Sequence, residues 1–184
     1  MNQTDQTVKT TDQTKTNQIR NEKGNLGLER LLTVTDKGVL AAFKRAVNPS
    51  YEADAYIEAA RIAPWCNDFQ LSVMQIIGVL WATHRWVEGN VIKGHQSGEV
   101  LGKVVASAAK SSKKETYAGL IDDLVKSNRE ELLQKLFWIM RMIKNKPVDF
   151  YDLYDTVTYW AKEFRNDTRQ AKLIRDFYRF KSEE

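Results

Sequence analysis

Residues 68–86, DFQLSVMQIIGVLWATHRW, form the most apolar run of the chain and decide its fold. The apolar side chains continue over about five helical turns without the period-two alternation of a half-buried strand, which favours a helix. Ser72, Gln75 and His84 interrupt the run, which is shorter than the roughly 20 apolar residues that span a bilayer. We therefore predict a helix buried in the core of a globular domain, with no membrane association.

Helical spacing continues on both sides of this run. Asp36 can cap a helix whose core face includes Val39 and Phe43, four residues apart, and Asn128 and Asp149 can cap two later helices. Further helices are expected over about 51–62, 99–110, 112–126, 128–145, 149–164 and 168–180. No segment alternates with period two over a useful length. The sequence thus predicts an all-α fold, a single bundle of about eight helices.

Residues 1–25 differ in composition from the rest of the chain. Asn, Gln, Thr, Asp and Lys dominate them, and Val8 and Ile19 are their only large aliphatic residues after Met1. Such a segment cannot bury enough apolar surface to offset the entropy lost on ordering. We expect residues 1–25 to be a disordered polar tail and residues 26–184 to form the helical bundle domain.

The formal net charge of +4 is unevenly distributed. Residues 101–184 hold 17 basic and 13 acidic side chains, whereas residues 26–100 hold 7 basic and 8 acidic ones. A positive excess confined to one part of a chain indicates an anionic partner such as a nucleic acid. A solvated, lysine-rich surface would give the same numbers.

The last predicted helix concentrates this charge on one side. An arc of about 120° carries four cations, namely Arg169, Lys172, Arg175 and Arg179. The opposite side carries Leu173, Ile174, Phe177 and Tyr178. Asp176 interrupts the basic arc. Several cations on one ridge are what a phosphate backbone requires, although the solvated face of an amphipathic helix has the same form and is more common.

The helix predicted after Asn128 has two apolar strips. The first consists of Leu132, Leu136, Ile139, Met140 and Ile143. Trp138 and Met142 point away from it, beside Lys135 and Arg141. The second strip either packs in an internal layer of the bundle or contacts a partner protein, and burial is the more frequent arrangement.

No set of residues predicts catalysis. His84 lies on the apolar helix, where a structural role is expected, and His95 lies in a glycine-flanked loop. Cys66 is the only cysteine, so no disulfide can form within the chain, and a lone thiol fits a reducing cytoplasm. No phosphate-binding loop or zinc-ligand spacing is present. We therefore predict no enzymatic activity and no cofactor.

Asp149, Asp152 and Asp155 are the best candidates for metal ligands, because spacings of three bring carboxylates together on a helix. However, Asp149 occupies an N-cap position and Asp152 the first turn, where carboxylates satisfy free amides. No second aspartate-rich helix completes the set. We therefore predict no metal site here.

Several segments in order resemble one protein family. Residues 35–46, TDKGVLAAFKRA, are similar to the first recognisable element of the small subunit, CasB, of type I-E Cascade, a CRISPR surveillance complex. The later matching elements are Leu101-Gly102-Lys103-Val104, Lys113-Lys114 with Leu120-Ile121, the helix 132–143, Val148-Asp149-Phe150, Trp160 and the final basic helix. The resemblance covers about residues 28–180.

The resemblance implies a cytoplasmic helical bundle without known enzymatic activity. Such subunits lie as two head-to-tail copies among the other Cascade subunits, contact crRNA and target DNA independently of sequence, and help hold the R-loop and displaced strand. On this basis the backbone-contacting residues are Lys44, Arg45, Lys113, Lys114, Arg169, Lys172 and Arg175. Lysine replaces the family's arginine at several positions, which keeps the charge but loses forked hydrogen bonding.

Two other functions fit the residues. The chain could be a helical protein–protein adaptor that uses the strip of Trp138 and Met142 and binds no nucleic acid. A small metal-dependent hydrolase using Asp149 and Asp152 is the third hypothesis.

Overall fold

The computed structural model describes residues 22, 24–84, 98–111, 114–143, 146–160 and 168–182. The helices are α1 (24–32), α2 (Lys37–Arg45), α3 (Glu52–Ile62), α4 (Asp68–His84), α5 (Leu101–Ser111), α6 (Lys114–Lys126), α7 (Arg129–Met142), α8 (Phe150–Thr158) and α9 (Arg169–Ser182), with a 3₁₀-helix at Pro49–Tyr51. In these ranges no strand occurs, and Glu99 and Val148 form an isolated parallel bridge. The predicted all-α fold is confirmed. Most of the predicted tail, residues 1–21, and His95 lie outside the described residues.

α4 lies at the centre of the bundle. It contacts α2, α3, α7 and α8, and 11 of its 17 residues are buried. One strip of α4, formed by Phe69, Ser72, Ile76 and Thr83, is exposed or half-buried, and the rest of the helix is covered. A helix covered over most of its circumference must be apolar over most of it, which explains the apolar run. Trp81 packs edge-on against Phe150 of α8, with ring centroids 5.2 Å apart. Among the described helices, none combines the length and apolarity needed to cross a membrane.

The predicted helix caps are present. Asp36 accepts a hydrogen bond from the Val39 amide at 2.9 Å, and Asn128 accepts one from the Glu131 amide at 2.9 Å. Asp149 accepts from the amides of both Tyr151 and Asp152 at 2.8 and 3.1 Å. These bonds satisfy amides that have no partner within the helix. The starts of α2, α7 and α8 are therefore encoded locally.

The predicted ends of two helices were wrong. α8 ends at Thr158 and not near residue 164, and α7 ends at Met142 and not at residue 145. After α8, the buried Trp160 donates its indole Nε1–H to the carbonyl of Ser127, at 3.1 Å. This hydrogen bond joins Trp160 to a residue distant in sequence and favours the end of α8 before residue 160.

α5 and α9 approach each other closely at Gly102. A Cβ atom at this position would lie 2.7 Å from the carbonyl oxygen of Leu173 and 2.8 Å from the Cβ of Asp176. Glycine is therefore required by the spacing between the helices rather than by its backbone conformation. This close approach explains the glycine in the Leu101–Val104 segment.

We expect Gly102→Ala to lower the free energy of unfolding by about 1–3 kcal/mol, because the added methyl meets backbone atoms that cannot move aside cheaply. Urea denaturation measures the change. Gly119→Ala on α6 is the matched control, since the methyl group of an alanine there would meet no atom within 4 Å, and alanine favours helix over glycine by about 1 kcal/mol. A Gly102→Ala protein as stable as wild type would contradict the close approach.

His84 is a buried core residue, as the sequence predicts. It is 0% exposed, and its Nε2 donates to the carbonyl of Lys146 at 2.7 Å. Burial lowers the pKa of His84 and outweighs the carbonyls of Lys146 and Met140, which favour the protonated ring. The folded protein therefore holds His84 neutral at pH values where the unfolded chain takes up a proton.

This shift makes stability depend on pH. The free energy of unfolding that depends on neutral His84 is fully present above the ordinary pKa of 6.5. It is lost as the pH falls below 6.5, by at most about 1.4 kcal/mol per pH unit. Urea denaturation at a series of pH values measures the slope. His84→Gln keeps a donor for the carbonyl but does not titrate, so its slope over this range should be smaller; an unchanged slope would assign the dependence to other groups.

Candidate nucleic-acid interface

The C-terminal end of α2 presents two predicted site residues. Lys44 is exposed, and the side chain of Arg45 is 58% exposed. The Arg45 guanidinium lies 5.5 Å from the ring centroid of Tyr51 and 3.9 Å from the carboxylate of Asp54. An exposed ion pair this long contributes little to stability, so phosphate can compete for Arg45. Gln134 of α7 donates to the Val47 carbonyl at 2.7 Å and fixes this end of α2.

One of the two predicted residues Lys113 and Lys114 begins α6. Lys113 is outside the described residues, and Lys114 is the first residue of the helix. The α6 backbone therefore begins at the second of the two lysines.

The first half of α9 is bound to α8 by ion pairs. Arg169 donates to Asp152 at 3.2 Å and to Asp155 at 2.7 Å. Lys172 contacts Asp152 at 3.0 Å and Asp176 at 3.3 Å. The Arg169 side chain is only 26% exposed. Arg169 and Lys172, both predicted to contact a nucleic-acid backbone, thus lie in a network of carboxylates that already neutralises them.

The same network gives structural roles to the aspartates that were considered as metal ligands. Partial burial alone would lower the pKa of Lys172, but the hydrogen bond and charge of Asp152, with Asp176, raise it, so the ammonium stays charged. Asp149 caps α8, while Asp152 and Asp155 bind the α9 cations. In the part of the chain that the structure describes, no three His, Cys, Asp or Glu side chains are grouped as a metal site requires.

The second half of α9 presents a different surface. Arg175 and Arg179 are exposed, and Tyr178 between them is 41% exposed. The helical wheel placed Tyr178 on the apolar side of the helix. The buried face of α9 centres on Phe177, at 0% exposure. Tyr178, the next residue, is rotated by about 100° from Phe177 and therefore lies at the edge of the buried face.

The second strip of α7 is not buried, and the expectation of burial was wrong. Trp138 is 53% and Met142 38% exposed. The guanidinium of Arg141 lies 5.2 Å from the Trp138 ring centroid and 5.7 Å from that of Phe137. The bundle has no further layer over this face of α7 among the residues described, so two large apolar side chains face outward.

Comparison with known families gives one match. The family described as CRISPR-associated protein Cse2 matches residues 39–178, from the first turn of α2 into α9. No curated protein and no solved structure gives a significant match. The match spans well over half of the 184 residues. The chain therefore belongs to the Cse2 family, also called CasB, the small subunits of the CRISPR Cascade complex.

Proposed function

We propose that this chain is a non-catalytic Cascade subunit that binds the backbones of crRNA and target DNA and stabilises the R-loop and its displaced strand. The family match over residues 39–178 is the observation that carries the proposal. In such complexes base pairing supplies sequence specificity, so the protein needs only cations for the phosphates. By resemblance, two copies lie head to tail beside the other subunits.

The contacts support different roles for the seven proposed residues. Lys44, Arg45 and Arg175 are exposed and reach solvent, as phosphate binding requires. Arg169 and Lys172 hold α9 against α8 through Asp152. We assign to these two the positioning of α9, with direct phosphate contact falling to Arg175. Lys113 and Lys114 remain proposed backbone contacts on the strength of the resemblance.

One observation favours a second function. Trp138 and Met142 form an exposed apolar strip beside Arg141, and exposed aromatic, Met and Arg side chains are enriched at protein interfaces. The chain would then be an adaptor between proteins. The two functions use different helices, so one protein can have both.

Replacing both Lys44 and Arg45 with alanine is expected to weaken binding of the purified chain to labelled DNA and RNA and to flatten its salt dependence. Removing one phosphate-binding cation lowers the slope of log affinity against log salt by about 0.7–0.9. Fluorescence anisotropy titrations over a series of salt concentrations measure both quantities.

The double variant Lys37→Ala/Arg61→Ala is the charge-matched control, because it removes two exposed cations from the first turn of α2 and the last turn of α3. It should keep a slope closer to that of wild type. Equal decreases in affinity for the two double variants would mean that net charge alone matters. A wild-type chain that binds no nucleic acid would contradict the proposal for the isolated chain and favour the adaptor.

The assignment of separate roles within α9 is tested by Asp152→Asn and Arg175→Ala. Asp152→Asn removes the charge that holds Arg169 and Lys172, so it should lower the free energy of unfolding by about 1–2 kcal/mol. Arg175→Ala should change stability by no more than about 0.5 kcal/mol and should weaken nucleic-acid binding. Urea denaturation and anisotropy are measured on both. Unchanged stability with tighter binding in Asp152→Asn would place Arg169 and Lys172 in direct contact with phosphate.

A further inference from the structure

Tyr178 presents an aromatic ring at the surface of α9, and two exposed arginines lie close to it in sequence. The residue is 41% exposed, and Arg175 and Arg179 are exposed beside it. Residues three and four apart are neighbours on a helix surface, so Arg175 is adjacent to both Tyr178 and Arg179. The two arginines are about 6 Å apart along the helix axis. The surface thus combines one ring with two guanidinium groups.

Two contacts restrain the ring. Phe177, which is fully buried, packs edge-on against Tyr178 with centroids 5.0 Å apart. The hydroxyl of Tyr178 donates a long hydrogen bond, 3.4 Å, to Asp122 of α6. Burial, followed by the charge and hydrogen bond of Asp122, raises the pKa of Tyr178, so the phenol stays neutral at physiological pH. A fixed, neutral ring loses little entropy when another ring stacks on it.

We propose that Tyr178 stacks on an unpaired base of DNA or RNA while Arg175 and Arg179 bind the phosphates on either side of it. The inference rests on the proposed nucleic-acid function and adds that α9 prefers single strands to duplexes. In a duplex both faces of each base are covered by neighbours, and unstacking costs a few kcal/mol. An exposed ring therefore selects single strands, whereas arginines alone bind single strands and duplexes alike.

The charge around the ring favours a nucleic acid over a protein as the occupant. Arg175 and Arg179 are the cations exposed beside the ring, and the aspartate of α9, Asp176, is bound to Lys172. Asp122 contacts the hydroxyl of the ring, and its charge is the acidic group that the structure places against Tyr178. The Trp138 strip on α7 has a single arginine stacked on its rings and adds Met142, which is typical of a protein interface.

The test compares four full-length proteins, wild type, Tyr178→Leu, Tyr178→Phe and Trp138→Leu, for binding to labelled single strands and duplexes of DNA and RNA. Stacking contributes about 1–3 kcal/mol per base, so Tyr178→Leu should weaken single-strand binding by about fivefold or more and change duplex binding much less. Tyr178→Phe keeps the ring and should bind as wild type does. Trp138→Leu removes an exposed ring elsewhere and should also bind normally.

The outcomes separate this inference from the proposed function. If wild type and Tyr178→Leu bind single strands equally well, the stacking role is overturned and the nucleic-acid function stands. If wild type binds neither single strands nor duplexes, the stacking role and nucleic-acid binding by the isolated chain are both overturned. If Tyr178→Leu keeps its single-strand affinity but no longer co-purifies with the other Cascade subunits, Tyr178 belongs to a protein interface. Tyr178→Phe shows whether any decrease in affinity comes from the Asp122 hydrogen bond instead of the ring.

Discussion

α4 buries 11 of its 17 residues, so most of its circumference needs an apolar neighbour. α2 and α3 cover one part and α7 and α8 another, although these helices are separated by many residues in the chain. Each covering helix needs only one apolar stripe, which leaves its opposite face polar. The positions of α2, α7 and α8 around α4 then determine which of their side chains face outward. The outward positions of Lys44 and Arg45 on α2 and of Trp138 on α7 follow from this arrangement.

Electrostatics divides the basic helix α9 into two parts. Near its N-terminus, Asp152 and Asp155 of α8 bind Arg169, and Lys172 is shared between Asp152 and Asp176. Charges in this partly buried network are screened less than exposed ones and hold two helices together. Further along, Arg175 and Arg179 are exposed at the surface. A single stripe of cations therefore has a half-buried part bound to α8 and an exposed part.

The proposed nucleic-acid function requires only surfaces. Cations for phosphates need no pocket, and the proposed stacking on Tyr178 would add a preference for unpaired bases without recognising any one base. The outward-facing Trp138 and Met142 on α7 offer a separate surface for neighbouring proteins. A chain of this kind can link nucleic acid to an assembly while its core remains an ordinary helical bundle.

The sequence by itself determined the fold class, the central helix and the starts of α2, α7 and α8, because apolar periodicity and capping side chains act within a few residues of each other. It also supplied the resemblance to CasB. Only the tertiary structure decided where α8 ends, since the Trp160 indole bonds to a carbonyl 33 residues away. The tertiary structure also decided which residues pair with Arg169 and Lys172, why residue 102 must be glycine, and that Trp138 and Tyr178 are exposed. A helical wheel shows which residues share a side of one helix. It does not show which neighbouring helix covers that side or what charge that helix brings.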